Sequence, residues 1–243
     1  MAKRAFDIAF AMLALILSLP VMAIACLLIW AEDGHSPLYL GVRVGRAGRD
    51  FRMLKLRTMV AGAEHFGGSS TPASDRRLTS IGPALRRFKV DELPQFWNVL
   101  IGDMSIVGPR PNLRAGGVDC YTSEEARLLS IRPGITDLAS IVFSDEGLIL
   151  DGAREADALY DQIIRPWKSA LGLLYVHNRS LRLDVRIIWL TAIAIGSHAR
   201  ALAGVAKILT ALAADEDLQR ICRRLDPLPH GTPPGAPAQL PTV

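Results

Sequence analysis

Two adjacent carboxylates, Asp91 and Glu92, precede an apolar stretch and are the residues of this sequence best suited to chemistry. The stretch has the pattern of a helix start, where acidic side chains lie near the positive end of the helix dipole and near free N–H groups. Residues 108–111 follow with the sequence Gly-Pro-Arg-Pro, a rigid loop that presents the guanidinium of Arg110. A rigid arginine beside paired carboxylates suits a doubly charged phosphate ligand held together with a divalent cation.

The plainer interpretation of Asp91 and Glu92 is that they cap an ordinary helix. Two features of the surrounding sequence weigh against it. Basic residues precede the pair at Arg86, Arg87 and Lys89, and the arginine loop follows it. The sequence therefore favours a site that handles phosphate, with simple capping as the alternative.

The composition limits the kind of protein that carries this site. The chain has 243 residues, 50% of them hydrophobic, with 28 Lys and Arg against 24 Asp and Glu, for a formal net charge of +4. Disordered chains are poor in apolar residues, so disorder is excluded for most of the sequence. Cys26, Cys120 and Cys222 are too far apart for a metal-binding motif or a disulfide framework, which fits a reducing compartment.

Much of the apolar content lies in Ile8–Trp30, 23 residues without a charge. A straight helix of that length would reach about 34 Å, enough to cross a bilayer. Pro20 interrupts the run near its middle, and both flanks are rich in Lys and Arg, which favours the cytoplasm for both ends. We therefore predict a re-entrant helix–break–helix. A spanning helix and a signal peptide are the alternatives, and the apolar residues that follow Cys26 argue against cleavage there.

The rest of the chain predicts a small α+β domain that is mostly helical. Short strands are expected in 37–58, a loop in 60–74, and amphipathic helices lying on the membrane surface or on the domain in 184–212. We predict four regions: a re-entrant membrane helix in 1–34, a catalytic core in 35–196, a helical extension in 197–225 and a disordered proline-rich tail in 226–243.

A set of short motifs in fixed order carries a resemblance to a known family. The motifs are Lys3-Arg4-Ala5-Phe6-Asp7, Lys55–Met59, Asp91–Gln95, Asn98–Leu100, Gly102–Ser105, Val107–Pro111, Arg132–Thr136 and Asn178–Ser180 followed by Leu183-Asp184. Single fragments are weak, but the ordered set is specific and covers roughly residues 3–195. The chain resembles the bacterial sugar transferase family, in particular its small monotopic phosphoglycosyl transferases.

The resemblance implies a reaction and a role for each matching residue. A sugar 1-phosphate would pass from a UDP-sugar to undecaprenyl phosphate with release of UMP, through a covalent aspartyl-phosphosugar intermediate on Asp91. Glu92 would act as its partner, either near Mg²⁺ or as a base, and both carboxylates would be metal ligands. Phosphate would be bound by Arg110 and, as weaker candidates, by Lys55, Arg57 and Arg86.

The resemblance also implies partners and a location. The partners would be the UDP-sugar, undecaprenyl phosphate and membrane lipids, at the cytoplasmic face of the bacterial inner membrane. Nucleic acid is not expected as a partner of such an enzyme, and a homodimer is left open. The reaction would be the first membrane step in making an exopolysaccharide, an O-antigen or a glycoprotein.

Three departures from the family pattern and two other classes of function bear on this interpretation. Leu19 precedes Pro20 where many members have Ser, Gly41 stands where Gln is common, and residues 137–140 differ from the common Gly-Trp-Ala-Gln, which leaves the donor sugar open. A membrane-attached module that binds anionic lipid or nucleic acid would not need Asp91. A glycosidase would need its two carboxylates about 5–9.5 Å apart across a sugar, which suits adjacent residues poorly.

Overall fold

The computed structural model describes residues 1–66, 68 and 70–237 and confirms a mostly helical α+β protein with a few short strands. The α-helices are α1 (Ala2–Asp33), α2 (Gly82–Arg87), α3 (Gln95–Ile101), α4 (Leu138–Val142), α5 (Glu146–Ile149), α6 (Ala156–Ile163), α7 (Arg165–Asn178), α8 (Leu181–Gly196), α9 (His198–Ala211) and α10 (Glu216–Arg223). The strands are β1 (Leu38–Val44), β2 (Asp50–Leu56), β3 (Ser105–Val107) and β4 (Gly134–Thr136). Short 3₁₀ helices lie at Arg46–Gly48, Ala63–His65, Val90–Glu92, Val118–Cys120 and Glu125–Ser130.

Helix α1 is continuous over 32 residues and contains Pro20. By length and composition it could cross a membrane. The predicted break at Pro20 is not confirmed. Proline removes one backbone hydrogen bond, and the residues on either side of it can keep theirs. The middle of the helix exposes a row of large apolar side chains, namely Met12, Leu13, Ile16, Leu17, Leu19, Val21, Ile24, Leu27 and Leu28.

Both ends of α1 are hydrogen-bonded to the same folded domain. Near its start, the guanidinium of Arg4 donates to the carbonyl oxygens of Val99 at 2.6 Å and Leu100 at 2.9 Å. At its other end, Arg57 donates to both carboxylate oxygens of Asp33, at 2.7 and 2.6 Å. The helix is therefore held along the domain by its two ends.

Helix α1 also lies against the segment 90–101, which carries Asp91 and Glu92. Its beginning meets the last turn of that segment through the hydrogen bonds of Arg4. Phe10 then contacts Phe96, with ring centroids 6.2 Å apart. Ile29 is fully buried in a small cluster against which Val90 packs. The two segments therefore run antiparallel, and the apolar helix supports the carboxylate-bearing segment directly.

Strands β1 and β2 form an antiparallel hairpin in which Tyr39 faces Lys55 and Arg43 faces Phe51. Side chains alternate between the two faces of a strand, and directly paired residues share a face. The face that carries these four residues also carries Met53, which is buried in the main core. On the opposite face Leu38, Leu40 and Val42 are exposed, while Val44 and Leu56 at its two ends are buried.

Strands β3 and β4 form a short parallel pair that contacts α1, α3, α4 and α8. Buried polar groups tie α1 and α8 to this centre. Ser105 Oγ donates to Asp7 Oδ2 at 2.8 Å. Tyr175 Oη donates to Asp184 at 2.6 Å, and Lys3 Nζ donates to the same carboxylate at 2.8 Å. These bonds hold β3, which leads into the arginine loop.

Helices α9 and α10 pack on α4, α7 and α8. Arg224, just after α10, donates to the carboxylate of Asp145 at 2.9 Å. Residues Val185 and Trp189 of α8 are exposed, but the predicted placement of such helices on a membrane surface is not confirmed. The domain boundaries given above stay predictions.

The proline-rich stretch after α10 contacts the domain in its described part. Gly231 donates its N–H to the carbonyl oxygen of Gln162 at 2.9 Å, and Trp167 Nε1 donates to the carbonyl oxygen of Pro229 at 3.2 Å. Disorder across 226–243 stays a prediction, and residues 238–243 lie outside the described part of the chain.

Candidate active site

The backbone turns sharply before the two carboxylates and then becomes helical. Lys89 has φ 57° and ψ 22°, a left-handed conformation that is uncommon for residues other than glycine. The 3₁₀ helix Val90–Glu92 follows, and Leu93 and Pro94 keep right-handed helical dihedrals that lead into α3. The helix start predicted from the sequence is confirmed, with 3₁₀ geometry in its first turn.

Glu92 is buried and paired with two cations. Both Nη atoms of Arg110 donate to its carboxylate, one of them at 3.3 Å, and Lys55 Nζ lies 3.4 Å from Oε1. Burial would raise the pKa of Glu92, but the charges of Arg110 and Lys55 outweigh burial and hold that pKa well below its ordinary value. Glu92 is therefore ionised at neutral pH, with both oxygens engaged.

Asp91 is buried to the same degree but only partly satisfied. Its Oδ2 lies 3.7 Å from Lys55 Nζ, and its Oδ1 has no hydrogen-bond partner among the described residues. Burial raises the pKa of Asp91; the charge of Lys55 opposes this rise and that of Glu92 adds to it. A buried carboxylate oxygen without a donor is rare in proteins, so Oδ1 marks a position that a ligand or cation would fill.

Lys55 is the cation that Asp91 and Glu92 share. It extends from the domain-facing side of the hairpin, opposite Tyr39. Burial lowers the pKa of Lys55, and the charge of Glu92 opposes that shift. Its ammonium is close to both carboxylates and within hydrogen-bond distance of Glu92 alone.

Arg110 is positioned by the tight loop after β3. A Cβ atom at Gly108 would lie 2.5 Å from the carbonyl oxygen of Arg132, so only glycine lets the two backbones approach this closely. Arg110 Nη1 also donates to the carbonyl oxygen of Ile135 in β4 at 3.2 Å. The charge of Glu92 raises the pKa of Arg110, which keeps its positive charge fixed.

Arg86 lies near Asp91 without an ion pair to it. Its Nε donates to Thr58 Oγ1 at 2.9 Å. Burial lowers the pKa of Arg86, and the charge of Asp91 is the strongest influence opposing that shift. No carboxylate within the described ranges pairs with this guanidinium, so Arg86 has N–H groups to offer a ligand.

Arg57 is not brought into this cluster. Strand β2 ends at Leu56, so the alternation that would place Arg57 beside Lys55 ends before it. Its guanidinium binds the Asp33 carboxylate and donates to the carbonyl oxygen of Ser36 at 2.7 Å. These contacts make Arg57 an anchor for the end of α1 and do not support its predicted role as a phosphate ligand. Pro20, the predicted helix breaker, lies exposed within α1.

Two residues near the cluster were not singled out from the sequence. Gln95 is fully buried, and it follows Asp91 by four residues along a helical backbone, which places both on one face. Three of the four buried side-chain polar atoms without a partner in the described residues belong to Asp91 and Gln95. The spacing of four could have indicated Gln95. The second residue, Arg43, lies on the hairpin face of Lys55, which only the strand register reveals.

The cluster is suited to a negatively charged ligand. Three cations, Lys55, Arg86 and Arg110, surround two carboxylates, and one carboxylate oxygen is free of hydrogen bonds. Cations of this kind neutralise a phosphate as an anionic nucleophile approaches it. The arrangement can therefore support nucleophilic attack by Asp91 on a phosphorus atom.

A divalent cation would find few protein ligands at this site. Within residues 1–66, 68 and 70–237, no group of three or more His, Cys, Asp or Glu side chains could hold a metal ion. Mg²⁺ is commonly held by one or two carboxylates and completed by water and substrate phosphates. The incompletely hydrogen-bonded carboxylate of Asp91 meets that description, whereas Glu92 would have to share its oxygens with Arg110. The donor set therefore fits Mg²⁺ in the company of a phosphate ligand.

Comparison with known families gives one match that covers most of the chain. The sequence profile described as bacterial sugar transferase matches residues 1–198. The match includes α1, the hairpin, the carboxylate segment and the arginine loop. It ends at the start of α9, so α10 and the proline-rich stretch lie beyond it.

Several curated proteins are similar in sequence. UDP-N-acetylgalactosamine-undecaprenyl-phosphate N-acetylgalactosaminephosphotransferase of Aeromonas hydrophila is 36% identical over 192 residues, which are 78% of this chain and 42% of that protein. UDP-glucose:undecaprenyl-phosphate glucose-1-phosphate transferase of Caulobacter vibrioides is 36% identical over 189 residues, 76% of this chain and 66% of that protein. The exopolysaccharide production protein PSS of Rhizobium leguminosarum bv. phaseoli is 36% identical over 197 residues, 79% of this chain and 93% of that protein. The chain thus spans less than half of the Aeromonas protein and nearly all of the Rhizobium protein.

Proposed function

The chain belongs to the bacterial sugar transferase family, and on that premise we propose that it transfers a sugar 1-phosphate from a UDP-sugar to undecaprenyl phosphate, releasing UMP. The observation that carries this proposal is the buried, unpartnered Oδ1 of Asp91 among Lys55, Arg86 and Arg110. The names of the similar proteins from Aeromonas and Caulobacter supply the donor and acceptor classes. The sugar differs between those two proteins, so it stays open here.

In the first half-reaction, Asp91 attacks the phosphorus that bears the sugar. A bond forms between a carboxylate oxygen of Asp91 and phosphorus, and the bond from that phosphorus to the oxygen of UMP breaks. UMP leaves with the electron pair of the broken bond, and the sugar phosphate remains on Asp91 as an acyl phosphate. Burial without a donor at Oδ1 leaves that oxygen free to attack.

In the second half-reaction, a phosphate oxygen of undecaprenyl phosphate attacks the same phosphorus. The bond between phosphorus and Asp91 breaks, and the Asp91 carboxylate is restored. The product is undecaprenyl diphosphate sugar, the lipid-linked substrate from which a polysaccharide is extended. No other reactant is needed for the atoms and charges to balance.

The cations offset the repulsion between a carboxylate and a phosphate anion. Lys55 and Arg110 hold Glu92 and face the incoming phosphate, and Arg86 offers free N–H groups beside Asp91. Mg²⁺, if bound by Asp91 and Glu92 with the donor phosphates, would supply further charge neutralisation. The roles of the protein residues are to bind the donor, orient Asp91 and keep water away from a buried site.

Glu92 serves this reaction as an ionised partner. Because Arg110 and Lys55 hold its pKa low, Glu92 keeps its charge and fixes the positions of both cations. A glycosidase would need one carboxyl group of the pair protonated as a general acid. Asp91 has a raised pKa, but its partner is tied to Arg110 and is not free to activate water on the opposite face of a sugar.

The chain would work at the cytoplasmic face of the inner membrane, with both ends of α1 on that side. Both ends of α1 are hydrogen-bonded to the domain that carries Asp91, and its middle exposes large apolar residues. A folded domain cannot hold both ends of a helix that crosses a bilayer between them. Tags at Met1 and Val243 should accordingly be accessible from the cytoplasm only, and a periplasmic tag at either end would contradict this topology.

The test of the reaction is UMP release from a panel of UDP-sugars with undecaprenyl phosphate and Mg²⁺. We expect the wild type to release UMP with at least one sugar and Asp91→Asn to release none, because an amide cannot form the acyl phosphate. Donor labelled in the sugar phosphate should label the wild-type protein and leave Asp91→Asn unlabelled. Arg49→Gln, an exposed residue in the hairpin turn, is the control for loss of one nearby positive charge. Turnover by Asp91→Asn at the wild-type rate would refute the mechanism.

A further inference from the structure

We propose that Arg43 forms a second phosphate subsite, which holds a phosphate monoester next to the phosphorus that Asp91 attacks. The subsite would take the phosphate of the leaving UMP in the first half-reaction and that of undecaprenyl phosphate in the second. This inference rests on the proposed function and adds a residue and an order of occupancy to it.

The backbone places Arg43 beside the known cluster. Tyr39 faces Lys55 across the hairpin, and Arg43 follows Tyr39 by four residues, so Arg43 lies on the same face as Lys55. The next residue, Val44, donates its N–H to the carbonyl oxygen of Asn112 at 2.9 Å. Since Asn112 lies two residues after Arg110, this bond brings the end of β1 against the arginine loop.

The side chain of Arg43 is held in place over Gly41. A Cβ atom at Gly41 would lie 2.8 Å from Cε1 of Tyr39 and 3.2 Å from Nη1 of Arg43, so both side chains cover this glycine. The Tyr39 hydroxyl lies in the same place, 3.3 Å from that Cβ position. Glycine here makes room for a tyrosine and an arginine that close over the strand.

Arg43 has no carboxylate partner in the described part of the chain. Its Nη1 donates to the carbonyl oxygen of the neighbouring Val42 at 2.8 Å. Burial lowers the pKa of Arg43, the neighbouring Tyr39 side chain opposes that shift, and the charge of Arg110 adds to it. Two guanidinium groups that repel each other in a half-buried place are stabilised when an anion binds between them.

The positions of Arg86 and Arg43 distinguish two ends of the cluster. Arg86 donates to Thr58, three residues after Lys55, whereas Arg43 faces Phe51, four residues before Lys55. The two arginines therefore lie on opposite sides of Lys55 along the chain of β2: the charge of Asp91 acts on Arg86, and Arg43 lies at the end next to the arginine loop. A UDP-sugar has two phosphates, and the one that bears the sugar must meet Asp91. The second phosphate, which becomes the phosphate group of UMP, is then the one that Arg43 binds.

In-line displacement explains why one subsite would serve both half-reactions. The group that leaves phosphorus departs opposite the attacking oxygen. When undecaprenyl phosphate later displaces Asp91, its oxygen must approach from the side that UMP left. A single phosphate position opposite Asp91 is thus used twice, first by the leaving monoester and then by the entering one.

Equilibrium binding of UMP to the detergent-solubilised full chain tests the subsite without any turnover. Loss of a charge-assisted hydrogen bond corresponds to about a 10- to 100-fold weaker Kd, so we expect this loss for Arg43→Gln and a smaller loss for Arg43→Lys. Arg49→Gln removes the same charge from the same hairpin, and its Kd should match the wild type. Thermal unfolding of each variant separates lost binding from lost folding. A Kd for Arg43→Gln equal to that of Arg49→Gln would overturn the subsite.

Two kinetic arms then test shared use. In the first, wild type and Arg43→Gln are compared for UMP release from UDP-sugar without lipid. In the second, protein already labelled with sugar phosphate is mixed with undecaprenyl phosphate, and transfer to lipid is followed. We expect Arg43→Gln to slow both arms about tenfold or more at subsaturating substrate, and UMP to compete with undecaprenyl phosphate. A loss confined to either arm would overturn shared use. A wild type that releases no UMP would refute the proposed function, while the binding result would still decide the role of Arg43.

Discussion

The end of α1 and the 3₁₀ helix before α3 each hold an aspartate among basic residues, and the two arrangements differ in what they leave unpaired. Arg57 donates to both oxygens of Asp33, and backbone carbonyl groups accept from the rest of its guanidinium. Hydrogen bonding by Arg57 lowers the pKa of Asp33 to about 2. At the other site, burial raises the pKa of Asp91, and its Oδ1 has no partner in the described residues.

The difference separates an anchor from a reactive site. At Asp33 the donors and acceptors match, so the pair can fix the end of a helix and has nothing to offer a ligand. Around Asp91 the cations exceed the carboxylates, and one carboxylate oxygen is left over. A surplus of charge and an unused buried acceptor are what a phosphate substrate with its cation would complete.

The largest expected effect is on activity, when one arginine is replaced at the Asp91 site and one at the Asp33 site. We expect Arg110→Gln to lower kcat/KM for UDP-sugar by about 10²- to 10³-fold, because it removes a donor aimed at developing charge and releases Glu92. Arg57→Gln should keep the kcat/KM of the wild type per folded molecule. Rates of UMP release, normalised to folded protein, measure both. Equal losses in the two variants would show that Arg57 also serves the substrate.

The next largest effect should be the pH dependence of the rate, which Asp91 should govern and Asp33 should not. Asp91 acts as a carboxylate and its pKa is raised above the ordinary 3.8, so the rate should fall as pH drops through that raised pKa. Glu92 stays ionised there because its pKa is lowered. The acid limb should therefore follow one proton, about tenfold per pH unit. Initial rates of UMP release against pH measure it, and a limb at or below pH 3.8 would contradict the raised pKa.

Thermal stability should show the smallest effect, and here the Asp33 site should matter. Arg57→Gln removes the contacts that hold the end of α1, so we expect Tm to fall by about 2–4 °C. A depressed pKa stabilises the fold above the unfolded pKa of about 4, and that stabilisation is lost as pH falls towards the folded pKa. The difference in Tm between wild type and Arg57→Gln should therefore shrink between pH 4 and about pH 2. A difference that is constant over this range would show that the ion pair is not its source.

Features that depend on residues close in sequence could be predicted from the sequence, and features that depend on distant residues could not. The apolar helix near the start of the chain, the short strands within 37–58 and the helix start at Asp91 depend on neighbours in sequence, and the structure confirms each of them. The pairing of those strands into a hairpin comes from the structure. The family resemblance implies Arg57 as a weaker phosphate candidate, and in the structure it binds Asp33 instead of joining Lys55. The strand ends at Leu56, and where a strand ends depends on its tertiary contacts.

The continuity of α1 was also beyond the sequence. A proline in a long apolar run permits a break, a kink or an unbroken helix, since each keeps most backbone hydrogen bonds. The hydrogen bonds of Arg4 and Asp33 hold both ends of this helix against one domain. The partners of Arg4, Val99 and Leu100, lie 95 and 96 residues away from it along the chain.

The sequence by itself determined the class of the protein and the pair of carboxylates, because motif order and local patterning need no knowledge of distant contacts. Only the tertiary structure showed how the cations meet that pair. Arg110 reaches Glu92 because the Gly108 loop passes against β4, and Arg43 joins Lys55 because two strands pair in one register. The sequence does not show whether the N–H groups of an arginine already donate to a carboxylate of the protein. That pairing decides whether the arginine anchors the fold or binds a ligand.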